Sequence, residues 1–459
     1  MILEQYYISC LSQGSYLIGD DSSGQAVVVD PRRDIEDYLA DAERYGLHIV
    51  GVVNTHFHAD FVAGHHELAA RTGAWIGYGH TAEAEYDIRR LAHGERIGLG
   101  EVEIEVLETP GHTWESISLL VREQAGDEVP VAVLTGDALF VGDVGRPDLA
   151  VSLGASADEL ARALYSSIHD VLMTLPDEVR LLPGHGAGSA CGKNLSDELQ
   201  STIGAQRLTN PSVQPMTEDA FVAMITAGQP SAPAYFAVDA VLNRQLRQAV
   251  TQPHRSVPLT PADVRAAIED GVRVLDTRCP ADFAAGHLRG SVNVGADGRL
   301  SETTGMVLWH DHPIVTINDP GRDDEVMMRL ARIGFDDVRG HLTDPARSLL
   351  ELADLVEAGE RIDVPALAER RGGEVTVLDV RNPGEVADGA IAGSLHIPLA
   401  EVVRRHDEVP SDRPVVVHCA SGWRSSVAAS ALRGLGHGAV SDLRGGYDAW
   451  EQEHAGAIG

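Results

Sequence analysis

The strongest constraint on how this chain folds is a repeat in its second half. Asp276-Thr277-Arg278-Cys279-Pro280 is matched by Asp379-Val380-Arg381-Asn382-Pro383, and the Gly286-to-Val294 segment GHLRGSVNV by the Gly389-to-Ile397 segment GAIAGSLHI. The offset is the same in both pairs, 379 against 276 and 389 against 286. A fixed period of this kind means two copies of one α/β unit of about 100 residues. Each copy continues with a short apolar run, Ile314-Val315-Thr316-Ile317 or Val415-Val416-Val417-His418, then a loop, then an apolar helix closing near a Gly. Such runs read as strands buried on both faces of a parallel sheet. At 459 residues the chain has room for about two to four domains. The divisions expected are 1–245 with a helical C-terminal extension, 256–350 and 360–459.

The first part alternates β-branched runs at 26–30, 48–54 and 102–107 with helical stretches at 34–46 and 65–73, an α/β pattern with antiparallel elements. A Pro-bearing segment at 210–215 precedes an amphipathic stretch at 219–227, and a second Pro-rich passage at 252–261 reads as a linker. The content of 44% hydrophobic and 23% charged residues excludes a disordered or fibrous chain. A formal charge of -33 argues against nucleic acid and anionic membrane as partners, because both require clustered Lys and Arg. Four scattered cysteines, Cys10, Cys191, Cys279 and Cys419, cannot staple a chain of this length. Together with a start that lacks a basic then apolar leader, they point to the reducing cytoplasm.

Chemistry gathers first at Thr55-His56-Phe57-His58-Ala59-Asp60, directly after an apolar strand. Gly111-His112-Thr113, Gly136-Asp137-Ala138 and Pro183-Gly184-His185-Gly186 follow, again at strand ends, where metal ligands commonly sit. In this order they resemble the metallo-β-lactamase superfamily, whose pattern is H-x-H-x-D-H, then His, Asp and His, on an αββα sandwich. Where its binuclear zinc hydrolases carry a second-site His after the Asp, this chain has Phe61. A phenyl ring cannot ligate, so a two-metal clamp is disfavoured. The resemblance then implies one metal on His56, His112 and Asp137, with His58, Asp60 and His185 around them. Two imidazoles and a carboxylate on one face suit non-haem Fe(II) and O2 chemistry.

The resemblance narrows to the persulfide dioxygenases, on Gly136-Asp137-Ala138-Leu139 and Gly145-Arg146-Pro147-Asp148. It implies one Fe(II) per chain and gives Arg146 to an anionic part of the substrate, the alternative being an internal salt bridge to Asp143 or Asp148. Ser189-Ala190-Cys191-Gly192-Lys193 resembles a segment of dioxygenase–rhodanese fusions in which the Cys handles persulfide. Lys193, the chain's one lysine, would favour the Cys191 thiolate; the alternative is a small buried thiol beside a surface Lys.

Cys419-Ala420-Ser421-Gly422-Trp423-Arg424-Ser425 joins a strand to a helix start, a setting that gathers anions and suits a sulfur-carrying nucleophile. The loop resembles the rhodanese active site. Four residues between Cys419 and Arg424, rather than the five of related phosphatases, suit sulfane sulfur. The middle copy has no Cys at the equivalent place, and Cys279 aligns with Asn382 instead. That copy is therefore expected to be silent.

The resemblance thus covers the whole chain. It implies an αββα sandwich followed by two rhodanese-like domains with parallel sheets, in a homo-oligomer. The function it implies is oxidation of thiol persulfides with O2 to sulfite or thiosulfate in sulfide detoxification. Because an acidic exterior would not steer an anionic substrate, capture is expected from Arg146, Lys193 and Arg424. Two rivals are a glyoxalase II-like thioester hydrolase and a persulfide-sensing scaffold.

Overall fold

In the first half, apolar side chains alternate along each strand, and the alternation builds four layers. The computed structural model describes residues 1–149, 154, 156–250, 255–371 and 375–455. Met1–Gln229 with Phe236–Pro253 form one unit, and Pro230–Tyr235 with His254–Gly459 the other. In the first unit Ile2–Ile8 (β1), Gln13–Asp20 (β2), Gln25–Val29 (β3), His48–Val53 (β4), Trp75–Gly79 (β5) and Arg89–Leu91 (β6) make one sheet, each strand beside its sequence neighbour. Arg96–Gly98 (β7), Glu103–Glu108 (β8), Ile117–Arg122 (β9), Ala132–Gly136 (β10), Arg180–Pro183 (β11) and Ser201–Thr202 (β12) make the second.

Ile18, Val27, Val29 and Val53 of the first sheet share a core with Ile104, Val106, Leu119, Val121 and Leu134 of the second. Their neighbours Leu17, Val28 and Val52 point the other way, onto Tyr38, Ala42 and Leu68 of the helices Glu36–Tyr45 and His65–Thr72. Leu120, Val133 and Leu181 likewise turn outward, onto Leu164, Ile168 and Phe221. A period of two thus gives the central strands two buried faces, and each buried Val or Leu contributes about 1.5–3 kcal/mol. The result is the helix–sheet–sheet–helix sandwich that the motifs implied. The C-terminal ends of β4, β10 and β11 open into the loops bearing His56, Asp137 and His185.

The two copies of the second unit share one strand order. Pro258–Leu259 (β13), Arg273–Asp276 (β14), His287–Leu288 (β15), Val292–Asn293 (β16), Ile314–Ile317 (β17), Val338–Leu342 (β18) and Val356–Glu357 (β19) belong to the first copy, whose parallel sheet runs β13-β18-β17-β14-β16. Arg361–Ile362 (β20), Thr376–Asp379 (β21), Leu395–His396 (β22), Val415–His418 (β23) and Val440–Leu443 (β24) repeat it as β20-β24-β23-β21-β22, also parallel. Asp276 pairs with Ile317 and Asp379 with His418, so the sheet register sets Asn318 at the position equivalent to Cys419. Of the Pro-rich passage at 252–261, residues 252–254 lie outside the described residues, and the rest leads into β13. Among the described residues no helix is long and apolar enough to cross a membrane.

Candidate metal centre and sulfur-carrying loop

Three ligand atoms of the first unit converge. Nε2 of His56 and Oδ2 of Asp137 are buried and make no hydrogen bond. They stand 3.9 Å apart, and Nε2 of His112 lies 3.6 Å from the same carboxylate oxygen. Second bonds fix the tautomers. Thr55 Oγ1 donates to Asp30 Oδ2 at 2.8 Å, so His56 Nδ1, 3.0 Å away, must carry its own proton toward that hydroxyl. His112 Nδ1 donates to the carbonyl of Arg146 at 2.9 Å. Both Nε2 lone pairs are thereby left facing Asp137, the arrangement a divalent cation requires. Burial first, then the neighbouring His58, pushes the His56 imidazolium down, which keeps the ring neutral. Burial works against the Asp137 carboxylate, but His185, His56 and His112 hold its carboxyl well below the usual range. The donor set fits a cation, and these three residues form a candidate metal site.

The residues expected around it stand as follows. His58 turns Nε2 to Asp30 Oδ1 at 2.9 Å, away from the triad, and stacks 4.3 Å from Phe61, which fills its corner as packing. His185 sits between two carboxylates, Nδ1 on Asp137 Oδ1 and Nε2 on Asp60 Oδ2, both at 2.7 Å. Burial opposes its charge, yet those carboxylates hold the imidazolium above its ordinary range. Asp60, His185 and Cys191 bring a second set of three potential ligand atoms within 4.8 Å of one another.

The three cations expected to capture substrate each have a partner in the fold. Arg146 is 2% exposed, and its guanidinium forks onto Asp148 at 2.7 and 2.6 Å and onto the carbonyl of Ala190 at 3.2 Å. It thus makes the internal salt bridge to Asp148 that the sequence left open as an alternative. The Lys193 ammonium donates to Ala227 O at 2.8 Å. Burial, reinforced by Asp60 and Asp137, pushes the Cys191 thiol well up. Arg424 is forked onto Glu385 at 2.7 and 2.6 Å. The sequence counted these cations correctly, but it could not show that each has a partner in the fold.

In the second unit, Cys419 is buried at the end of β23, and Gly422 N donates to its Sγ at 3.1 Å. Ser425 Oγ lies 3.7 Å from the sulfur. Gly422 caps the helix Trp423–Gly434 with φ at 97°, a left-handed conformation that favours glycine and turns its amide back onto the thiol. Ala420 is half-buried and Ser421 exposed at the loop's outer edge. The backbone is held from behind, since Tyr447 N and Asp448 N donate to the carbonyls of Cys419 and Ala420 at 2.7 and 3.0 Å. In the other copy, Asn318 at the equivalent position is spent on Thr316, Asp323 and Thr277. Cys279 caps the helix Pro280–Ala285, where Asn382 caps Pro383–Asp388 in the other copy.

The family model for the rhodanese-like domain matches residues 260–340 and 364–453. A solved metallo-β-lactamase from Staphylococcus aureus subsp. aureus COL is 33% identical, with 74% of this chain and 98% of that chain covered and a TM-score of 0.67. This chain belongs to the metallo-β-lactamase family. Two rhodanese-like domains follow its metallo-β-lactamase unit. The mitochondrial persulfide dioxygenase ETHE1 of Mus musculus is 30% identical over 175 residues, 37% of this chain and 63% of its own length. A hydroxyacylglutathione hydrolase of Polaromonas sp. is 37% identical over 175 residues, 37% of this chain and 61% of its own length. The chain spans about half the length of the β-lactamase hydrolase-like proteins it matches from Xylella fastidiosa and Agrobacterium fabrum.

Two residues of the metallo-β-lactamase unit that sequence reasoning missed hold its metal loop. Asp30, at φ 50°, accepts from Thr55 N at 2.7 Å and bonds both Thr55 Oγ1 and His58. Asn243, fully buried, donates to the carbonyls of His58 and Phe61 and accepts from Ala63 N, all at 2.8 Å. Asp30 ends an apolar strand just before a Pro, a readable signal. Asn243 has none, because it lies 185 residues from His58.

Proposed function

We propose that this chain is an iron-dependent persulfide dioxygenase joined to a rhodanese-type sulfurtransferase. It would oxidise a low-molecular-weight thiol persulfide with O2, and its sulfur would pass through Cys419. The observation that carries the reading is the convergence of His56 Nε2, His112 Nε2 and Asp137 Oδ2 on one point, with Phe61 packed against His58 rather than offering a further imidazole. Ferrous iron held there would supply the electron chemistry that lets O2 react with a persulfide sulfur. The balance is RSSH + O2 + H2O giving RSH, sulfite and two protons.

The chain's own residues prepare the site. Thr55 and the Arg146 carbonyl hold both imidazoles in the ligating tautomer, and Asp30 and Asn243 keep the loop between them from shifting. His185, shared by Asp60 and Asp137, holds a proton beside the triad. In the last domain the Cys419 thiolate would take the outer sulfur of a second RSSH, releasing RSH, and the Cys419 persulfide would pass that sulfur to sulfite, giving thiosulfate and the Cys419 thiolate. The Gly422 amide would favour that thiolate as leaving group. Residues 1–245, 256–350 and 360–459 would then serve as oxidising, silent and sulfur-carrying parts.

Iron-loaded protein in an oxygen electrode, with a panel of persulfides and with sulfite and thiosulfate quantified, tests the reading. His112→Ala should abolish O2 uptake and lower bound iron, while Cys419→Ser should spare O2 uptake and abolish thiosulfate formation. O2 uptake that survives in His112→Ala would falsify the ligand set. A second reading, thioester hydrolysis, is favoured by the Asp60, His185 and Cys191 cluster, which offers a second cation site. Two metals per chain with thioester cleavage would establish it. Stable Cys419 persulfidation without O2 uptake would point instead to a sensor.

A further inference from the structure

The silent copy touches the loop that carries Cys419. Trp423, the last residue between Cys419 and Arg424, lays its indole on Gly298 of the silent copy. A methyl group at Gly298 would stand 2.6 Å from Cε2 and 3.0 Å from Nε1 of that ring, inside any contact a side chain tolerates. A methyl group at the neighbouring Gly295 would stand 3.4 Å from Nε1, an ordinary contact, so the close approach depends on Gly298. Glycine is required here for close approach rather than for a backbone angle.

A second contact lies one turn further along the helix Trp423–Gly434. Asn293, in edge strand β16 of the silent copy, donates its backbone N–H to Ser430 Oγ at 2.9 Å and accepts from Ser426 Oγ at 3.2 Å. Its side-chain amide also donates to the carbonyls of Asp276 and Arg278, both at 2.9 Å. Asn293 is fully buried, as is Ser430, and Ser426 is 4% exposed. Ser430 Oγ also donates to Val427 O at 2.7 Å, so both hydroxyls, costly in a buried helix unless bonded, have partners.

We propose that the silent copy is the positioning element of the sulfur-carrying loop. Gly298 seats Trp423, Asn293 fixes the helix behind it, and the two together keep the Gly422 amide on the Cys419 sulfur. The absence of a cysteine at the equivalent position leaves this role intact, because none of the contacts involves Asn318. Gly298 and Asn293 are thus positioning residues for a thiol in the other domain.

The full chain tests this. Gly298→Val should unseat the indole and change the alkylation rate of Cys419 by iodoacetamide, followed by peptide mass spectrometry, about tenfold, as expected when a bond to the sulfur is lost. Asn293→Ala should act in the same direction without adding bulk. In a double-mutant cycle, Trp423→Ala added to Gly298→Val should add little, since the contact is already gone. In sulfur transfer, both variants should alter kcat for the Cys419 step and leave O2 uptake unchanged. Arg347→Ala, on an exposed helix of the silent copy, should leave alkylation at the wild-type rate.

The proposal is overturned if Asn293→Ala and Trp423→Ala alkylate within twofold of wild type, if Gly298→Val and Trp423→Ala are additive, or if Arg347→Ala changes the rate as much. Should Gly298→Val fail to fold, Asn293→Ala and Trp423→Ala decide alone. Alkylation needs no sulfur transfer, so failure of the sulfurtransferase reading would be seen separately.

Discussion

Asn243→Ala is the sharpest test of how the metal loop is held. The substitution removes two donors and one acceptor and leaves the carbonyls of His58 and Phe61 and the amide of Ala63 without their partners at 2.8 Å. His58, Phe61 and Ala63 are at most 1% exposed, so bulk water cannot replace the lost bonds. A buried polar group left unpaired costs about 1–3 kcal/mol, giving about 3–9 kcal/mol for three. A water entering the vacated amide volume would restore part, so about 3–5 kcal/mol should be observed. The loop shift should also weaken metal binding by about 10- to 100-fold, the usual effect of losing support behind ligands. Asn243→Asp should be as damaging, because it keeps an acceptor for Ala63 but turns a negative oxygen toward two carbonyls. Guanidinium unfolding of the metal-free chain, read on the first unit, and chelator competition for the metal measure the two effects. If both variants stay within about 1 kcal/mol and twofold in metal affinity, Asn243 does not support the site as argued.

Arg146→Met should lower metal occupancy and thermal stability together rather than raise KM alone, since the guanidinium ties Ala190 and Asp148 beside the His112 contact; metal analysis beside a melting curve checks it. Glu67, fully buried on Arg247 and Arg33, offers a pH test. Burial raises its carboxyl, but Arg247 and Arg33 hold it below the usual value. The pair's contribution to stability is therefore complete above the ordinary glutamate pKa and is lost as pH falls through the lower folded value. Arg247→Met should cost about 3–5 kcal/mol at neutral pH and flatten the stability loss in acid, as read by urea titrations across pH.

The αββα order, the two copies and the triad were legible because each has a local signature. Apolar runs of period two end in Gly, His and Asp, and a constant spacing relates the repeats. Arg146, Lys193 and Arg424 were legible only as charges: a one-dimensional reading shows Asp148 two residues away but not that its carboxylate closes on the guanidinium. Cys191 shows the same limit, for proximity to Lys193 in sequence says nothing about burial beside Asp60 and Asp137. Asn243 and the Trp423–Gly298 contact were invisible because they join residues 185 and 125 positions apart, and the small residue carries no chemistry of its own.

Asn318 makes a cysteine hard to install in the middle domain at the position equivalent to Cys419. Its side chain bonds Thr316, Thr277 and Asp323 at 2.9 to 3.0 Å in a position 2% exposed. Replacing it with Cys would supply a thiol but strand three hydroxyl or carboxylate partners, at about 1–3 kcal/mol each. A gain of catalysis would therefore need several changes at once, each harmful alone. The middle domain's interior is thus built around an amide at the place where the last domain carries its thiol.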